Sequence, residues 1–177
     1  MLTHKVFNDV KGVMKISILK PLLIAALLIS GAAAAESVSA SKQLQTMLTA
    51  AKGKVVYLDF WASWCGPCRK SFPWMNKVQN RFKAQGFTVI SVNLDKKQQT
   101  AQHFLDKNPN EFSVIYDPNG DIAKQFSLKG MPSSYLFDKN GNIVIAHVGF
   151  FEAKIPEYEM QIAGLLNTRL ATEQLKE

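Results

Sequence analysis

Cysteine occurs twice in the 177 residues, as Cys65 and Cys68 in Trp64-Cys65-Gly66-Pro67-Cys68, directly after the apolar run Val55–Trp61. A strand that delivers such a pair to the opening of a helix places one thiol where it is activated and the other within reach to close a disulfide with it. The chemistry implied is thiol-disulfide exchange. A structural staple is a weaker account, because a bridge across two intervening residues closes a very small loop and constrains the unfolded chain little. A zinc half-site is weaker still. No second Cys-x-x-Cys pair completes a tetrad, and His103 and His147, on an amphipathic helix and a late strand, read as surface or packing residues.

Asp59 is the third residue with chemical potential. It lies inside the apolar run with no evident cationic partner, so burial there raises its pKa and makes it a candidate for proton transfer. Binding to backbone groups at a frayed strand end is its competing role.

The elements that must hold these residues follow from pattern. Leu44, Met47 and Leu48 mark a first helix over 41–51, with Ser41 as its N-cap and Gly53 closing it. Val55–Trp61 reads as a central strand buried on both faces. A helix over 65–85 follows, with Phe72, Met75, Val78 and Phe82 on one stripe and a kink expected at Pro73. Residues 87–94 form a second buried strand and 98–107 an amphipathic helix. A short strand over 113–116 and a brief helix over 122–126 come next. Asp138-Lys139-Asn140-Gly141 between the runs 133–137 and 143–148 is a hairpin signal. A last helix over 156–175 turns Ile155, Tyr158, Ile162, Leu165, Leu166 and Leu170 toward the sheet. This order predicts one α/β domain of three layers, a central mixed sheet with helices on both faces.

The N-terminus has a different character. Lys15 and Lys20 precede the apolar stretch 21–29 and the small residues Gly31 to Ala35, the parts of a secretory signal peptide with cleavage expected after Ala35. Residues 1–35 are therefore assigned to the signal and 36–177 to the folded domain, with Met14 as an alternative start. A retained anchor is the rival, but the stretch between Lys20 and Glu36 falls short of the roughly 20 residues a spanning helix requires. Cleavage removes four lysines and one aspartate and lowers the formal net charge from +7 to +4. The remaining basic residues are dispersed; Arg69-Lys70 and Lys96-Lys97 read as solvated surface, and no nucleic-acid partner is implied.

The segment Asp59-Phe60-Trp61-Ala62-Ser63-Trp64-Cys65-Gly66-Pro67-Cys68 closely resembles the active-site segment of thioredoxins. Gly130-Met131-Pro132 resembles their loop before a cis-proline, and Gly149 falls where that fold has a glycine. The resemblance spans about residues 40–175 and implies the thioredoxin-like form of the α/β sandwich. Within that superfamily the chain looks most like exported TlpA-like thiol-disulfide oxidoreductases. The continuation Arg69 to Met75 and the long passage between Asp95 and Gly130, where those proteins insert a helix and a strand, point there.

The resemblance implies Cys65 as nucleophile, at a helix N-terminus that stabilises its thiolate, Cys68 as resolving thiol and Asp59 as its base. It implies a substrate surface of Trp64, Gly66, Pro67, Met131 and Pro132, with Pro132 cis. Trp64, Trp61 and Trp74 are candidates for an apolar rim, core packing being the stronger role for the last two. The partners implied are disulfide-containing proteins and a membrane thiol donor of electrons in the periplasm, with no cofactor and no metal, the protein acting as a monomer.

Two departures stand out. Ser71 occupies a position where reductases of cytochrome c maturation commonly carry glutamate, and Ser91 stands where thioredoxins have a lysine near the buried aspartate. A peroxiredoxin-like peroxidase shares the fold, but its Pro-x-x-x-Thr-x-x-Cys context is absent. A redox-inert binding module is the other alternative. Gly-Pro between the cysteines is the thioredoxin dipeptide, and potentials of that kind lie roughly 150 mV below that of the periplasmic oxidant. Reduction or isomerisation is expected over oxidation.

Overall fold

In the computed structural model, which describes residues 39–173 and side chains as far as residue 167, the strand Val55–Trp61 (β1) is buried at every position. A strand hidden on both faces needs partners at both edges and helices above and below. β2 (Phe87–Asn93) pairs with β1 in parallel and β3 (Ser113–Tyr116) pairs with β2 in parallel. On the other side β4 (Ser133–Phe137) and β5 (Ile143–Val148) add antiparallel, giving the order β3-β2-β1-β4-β5. Parallel neighbours require crossovers, and the helices Gly66–Phe82 (α2) and Gln98–Lys107 (α3) supply them. The antiparallel pair needs only a turn. The Asp138 carboxylate accepts the N–H groups of Asn140 and Asn142, and Gly141, at φ +88°, takes the left-handed position.

Alternation along β1 divides the core into two layers. Val55, Tyr57 and Trp61 pack with α2, α3 and the C-terminal helix α5 (Ile155–Glu173). Val56, Leu58 and Phe60 pack under α1 (Ala40–Ala50) and the short α4 (Asp121–Gln125). The expected mixed sheet with helices on both faces is thus observed. Phe72 joins the end of β1 to α2 and α3, its ring lying 4.6 Å from Trp61 and 5.0 Å from Phe104. Burying Phe72 and Met75 contributes about 1.5–3 kcal/mol each, which anchors the helix that begins beside the cysteines.

The first helix begins earlier than expected. Ser39, not Ser41, is its N-cap: Ser39 has an extended backbone and its hydroxyl accepts the Lys42 N–H at 3.3 Å. Ser41 lies inside the first turn, where its hydroxyl instead accepts from the Gln125 amide at 2.8 Å and ties α1 to α4. α2 runs on through Pro73 to Phe82, and a 3-10 turn over Lys83–Gln85 completes the segment expected as one helix. Among the described residues, no helix is long and apolar enough to cross a membrane. The segment 1–35 assigned to the signal, with Met14 and Ala35, lies outside the described residues, as does the side chain of Leu170.

Candidate active site

Chain direction changes between Trp61 and Gly66, where β1 hands over to α2. Cys65 is the N-cap of α2, with φ −81° and ψ 107°, and its sulfur accepts the Cys68 N–H at 3.3 Å. The fixed φ of Pro67 and its missing N–H suit the first turn, where that N–H would have no partner. Cys65 and Cys68 are joined in a disulfide, with their Cα atoms 5.2 Å apart. Cys65 keeps 6% of its surface accessible and Cys68 none. Unpaired N–H groups and the helix dipole converge on Cys65, the position that favours a thiolate. Ser71 is buried, and its hydroxyl donates to the Cys68 carbonyl at 2.8 Å, so this side chain is spent on the helix backbone.

A buried carboxylate steadies the approach to the cysteines. Asp95, just beyond β2, accepts the Ser63 N–H at 2.9 Å and the Ser63 hydroxyl at 2.8 Å, and the Asn93 amide donates to it at 2.7 Å. The loop that this holds exposes Trp64 at 67%, while Trp61 and Trp74 are buried. Trp64 therefore belongs to the surface and the other two to the core.

Beside the disulfide runs an open groove of about 650 Å³, with Trp64, Cys65, Gly66 and Pro67 on one wall and Leu128 and Met131 on the other. The Met131–Pro132 peptide is cis, as the resemblance implied. Pro132 itself is buried and does not line the groove; its carbonyl accepts the Gly149 N–H at 2.7 Å, and the Ser133 hydroxyl donates to Gly130 at 2.7 Å. Of the five residues implied for a substrate surface, four line the groove and Pro132 sits behind it. Sequence reasoning missed Leu94, Ala123, Leu128 and Lys129, which also line it. They come from the end of β2 and from α4 and the segment after it, and no motif in the chain marks them.

Asp59 is 1% exposed, and among the described residues its Oδ2 atom has no hydrogen-bond partner. Burial pushes its carboxyl well above the ordinary carboxylate range. The neighbouring Tyr57 phenol is raised too, first by burial and then by the charge of Asp59. Asp59 stands opposite Ser91 on β2, so a hydroxyl, not an ammonium, faces it from that side. It shares the α2 face of the sheet with Tyr57 and Trp61, and Cys68 belongs to the same apolar cluster as both.

The Redoxin family model matches residues 30–162 of the chain. The chain belongs to the Redoxin family. This Redoxin-family protein is 34% identical over 93 residues to the thiol-disulfide oxidoreductase ResA of Bacillus thuringiensis subsp. konkukian, covering 52% of this chain and 54% of that one. To ResA of Bacillus subtilis it is 31% identical over 108 residues, 60% of either chain. It thus spans somewhat more than half the length of these curated relatives. Among solved structures, a Chlorobium tepidum protein described as thiol:disulfide interchange protein DsbE is 52% identical with a TM-score of 0.66, covering 67% of this chain and 84% of that one. StoA from Bacillus subtilis is 28% identical with a TM-score of 0.52, over 58% of this chain and 79% of that one. The fold is that of the thioredoxin superfamily, and the likeness is to its TlpA-like branch.

Proposed function

We propose that the protein is an exported thiol-disulfide oxidoreductase that reduces, or isomerises, disulfides of periplasmic proteins through a Cys65/Cys68 cycle. The observation that carries this reading is the asymmetry of the pair: Cys65 caps α2 and keeps an accessible edge, whereas Cys68 is sealed one turn inside. The Cys65 thiolate attacks a substrate disulfide, forming a mixed disulfide and releasing one substrate sulfur as a thiolate. Asp59 takes the proton from the Cys68 thiol. The Cys68 thiolate then attacks Cys65 Sγ, expelling the second substrate sulfur and leaving the Cys65–Cys68 disulfide. Two electrons pass from the dithiol to the substrate, and a membrane thiol donor restores them.

A helix N-terminus lowers a thiol pKa from about 8.5 toward 7, so the attacking group is substantially ionised at neutral pH without losing much nucleophilicity. Trp64, Gly66, Pro67 and Met131 contact the substrate chain along the groove, with Pro132 shaping the loop behind Met131. The likeness to the ResA thiol-disulfide oxidoreductases and to the Chlorobium tepidum protein supports thiol-disulfide exchange. The signal-peptide pattern in residues 1–35 supports export. The Gly66-Pro67 dipeptide supports the reducing direction, worth about five powers of ten in equilibrium constant against the periplasmic oxidant.

The test is a redox titration against glutathione together with dithiothreitol-dependent reduction of insulin. A potential near that of thioredoxin and turnover lost in Cys65→Ser are expected. A potential near the oxidant's overturns the direction, and insulin reduction at the uncatalysed rate overturns the activity.

A further inference from the structure

Burial favours the protonated form of Asp59, so in every cycle a proton has to leave before the carboxylate can take one from Cys68, and Asp59 is buried among apolar groups. The sheet register supplies a direction. Asp59 stands opposite Ser91 on β2 and Ser134 on β4, and Ser134 stands opposite His147 on β5. Residues directly opposite in neighbouring strands share a face at a spacing of about 5 Å. Ser91, Asp59, Ser134 and His147 therefore make one polar row across four strands, on a face otherwise filled by apolar side chains.

The two ends of the row differ. Ser91 donates its hydroxyl proton to the Ser113 carbonyl at 3.3 Å and accepts the Trp61 indole N–H at 3.2 Å, so its one donor is used and it has none to give the Asp59 carboxylate. Ser134 Oγ lies 3.4 Å from His147 Nδ1. His147, half-buried on the edge strand, sets its ring edge-on to Tyr158 at 4.9 Å between centroids. Among the described residues, His147 Nε2 and Gln161 Oε1 are buried atoms without a hydrogen-bond partner, and the Gln161 amide donates to the exposed Glu157 at 3.3 Å. The row thus leads from the interior to the α5 edge of the sheet.

We propose that Asp59, Ser134 and His147 form a proton relay that carries the proton taken from Cys68 sideways through the sheet to the α5 edge. The relay rests on the base role given to Asp59 above. The Asp59 carboxylic acid passes its proton to Ser134 Oγ as Ser134 passes its own hydroxyl proton to His147 Nδ1. The imidazolium then releases its Nε2 proton toward Glu157 and solvent, and exchange with water restores the starting tautomer. No electrons move, and Asp59 is again a carboxylate.

The groups facing His147 are Ser134 on β4, Glu157, Tyr158 and Gln161 on α5, and Lys154 in the turn before it. Burial lowers the His147 pKa below its ordinary value and Lys154 adds to this, while Gln161 and Glu157 pull it up. The ring is therefore neutral at pH 7 and able to accept a proton. Tyr57, on the same face, keeps its own proton because burial and the Asp59 charge raise its pKa.

The test oxidises the reduced protein in single turnovers with 5,5′-dithiobis(2-nitrobenzoate). The first thiolate released reports attack by Cys65 and the second reports resolution by Cys68. Ser134→Ala is expected to slow the second release about tenfold and leave the first within about twofold, with the redox potential unchanged, since a relay alters a rate and not its end states. In the wild type the second rate falls as pH drops through the His147 pKa, and His147→Gln removes that inflection. If both variants resolve at the wild-type rate while Asp59→Asn is slow, the relay is overturned and the base role stands. If Asp59→Asn also resolves at the wild-type rate, the base role fails and the relay with it. A slow Ser134→Ala whose potential and melting temperature both shift marks a structural role and overturns the relay.

Discussion

Replacing Asp59 by asparagine should stabilise the oxidised protein by an amount that grows with pH. The carboxyl is buried, its Oδ2 lacks a partner among the described residues, and burial is the cause that lifts its pKa well above the ordinary 3.8. Below that value it is protonated in folded and unfolded chains alike, and the favourable contribution of the neutral acid is fully present. As the pH rises the unfolded chain ionises while the folded one holds its proton, so stability falls by about 1.4 kcal/mol per pH unit. The loss continues until the folded pKa is passed and is constant above it. Asparagine has no such proton, so the difference between variant and wild type is near zero at acid pH and largest at alkaline pH.

Each pH unit over which the folded acid outlasts the unfolded one is worth about 1.4 kcal/mol, and one kcal/mol moves the midpoint of a domain of this size by about 2–4 °C, so a rise of about 3–6 °C for every such unit is expected at pH 8. Thermal unfolding of both proteins without reductant, from pH 4 to pH 9, measures it. A difference that stays flat with pH, or a variant less stable at pH 8, refutes the reasoning.

Three further outcomes follow from the geometry. Trp64→Ala should change stability by less than about 0.5 kcal/mol in urea unfolding, because the ring is exposed, yet slow insulin reduction severalfold while sparing reduction of glutathione disulfide. Asp117→Ala removes the acceptor of the Asp121, Ile122 and Ala123 N–H groups at 2.8, 2.9 and 3.1 Å. It should cost about 1–3 kcal/mol in urea and, since α4 borders the groove, raise the KM for protein substrates. Gly149→Ala forces a side chain into φ +83° with its Cβ 3.0 Å from the Phe151 ring, and a loss of about 1–2 kcal/mol in urea is expected.

Much of the fold was legible because its strands are apolar runs with clear punctuation. Gly53 precedes β1, Gly86 precedes β2, and Asn140-Gly141 separates β4 from β5. The start of α1 was misread because Ser39 and Ser41 are equally good caps by type, and only the contact of Ser41 with Gln125, far along the chain, distinguishes them. The cysteines and Asp59 were legible from local context alone. Leu128 and Lys129 were not, since they reach the groove through the path of the chain after α4. Nor was the row from Asp59 to His147: the register of three strands aligns those residues, and register is a property of pairing between distant segments.

The tie between Ser63 and Asp95 bears on how partners tell the two forms of the protein apart. Its donors and acceptors, Ser63, Asn93 and Asp95, exchange neither electrons nor protons with the sulfurs, so reduction leaves the bonds under Trp64 in place. The expectation is that oxidised and reduced molecules offer visiting proteins one and the same landing surface. Under the proposed function, an electron donor and a substrate would compete for it on equal terms, with their order of visit set by abundance and by the sulfur chemistry itself.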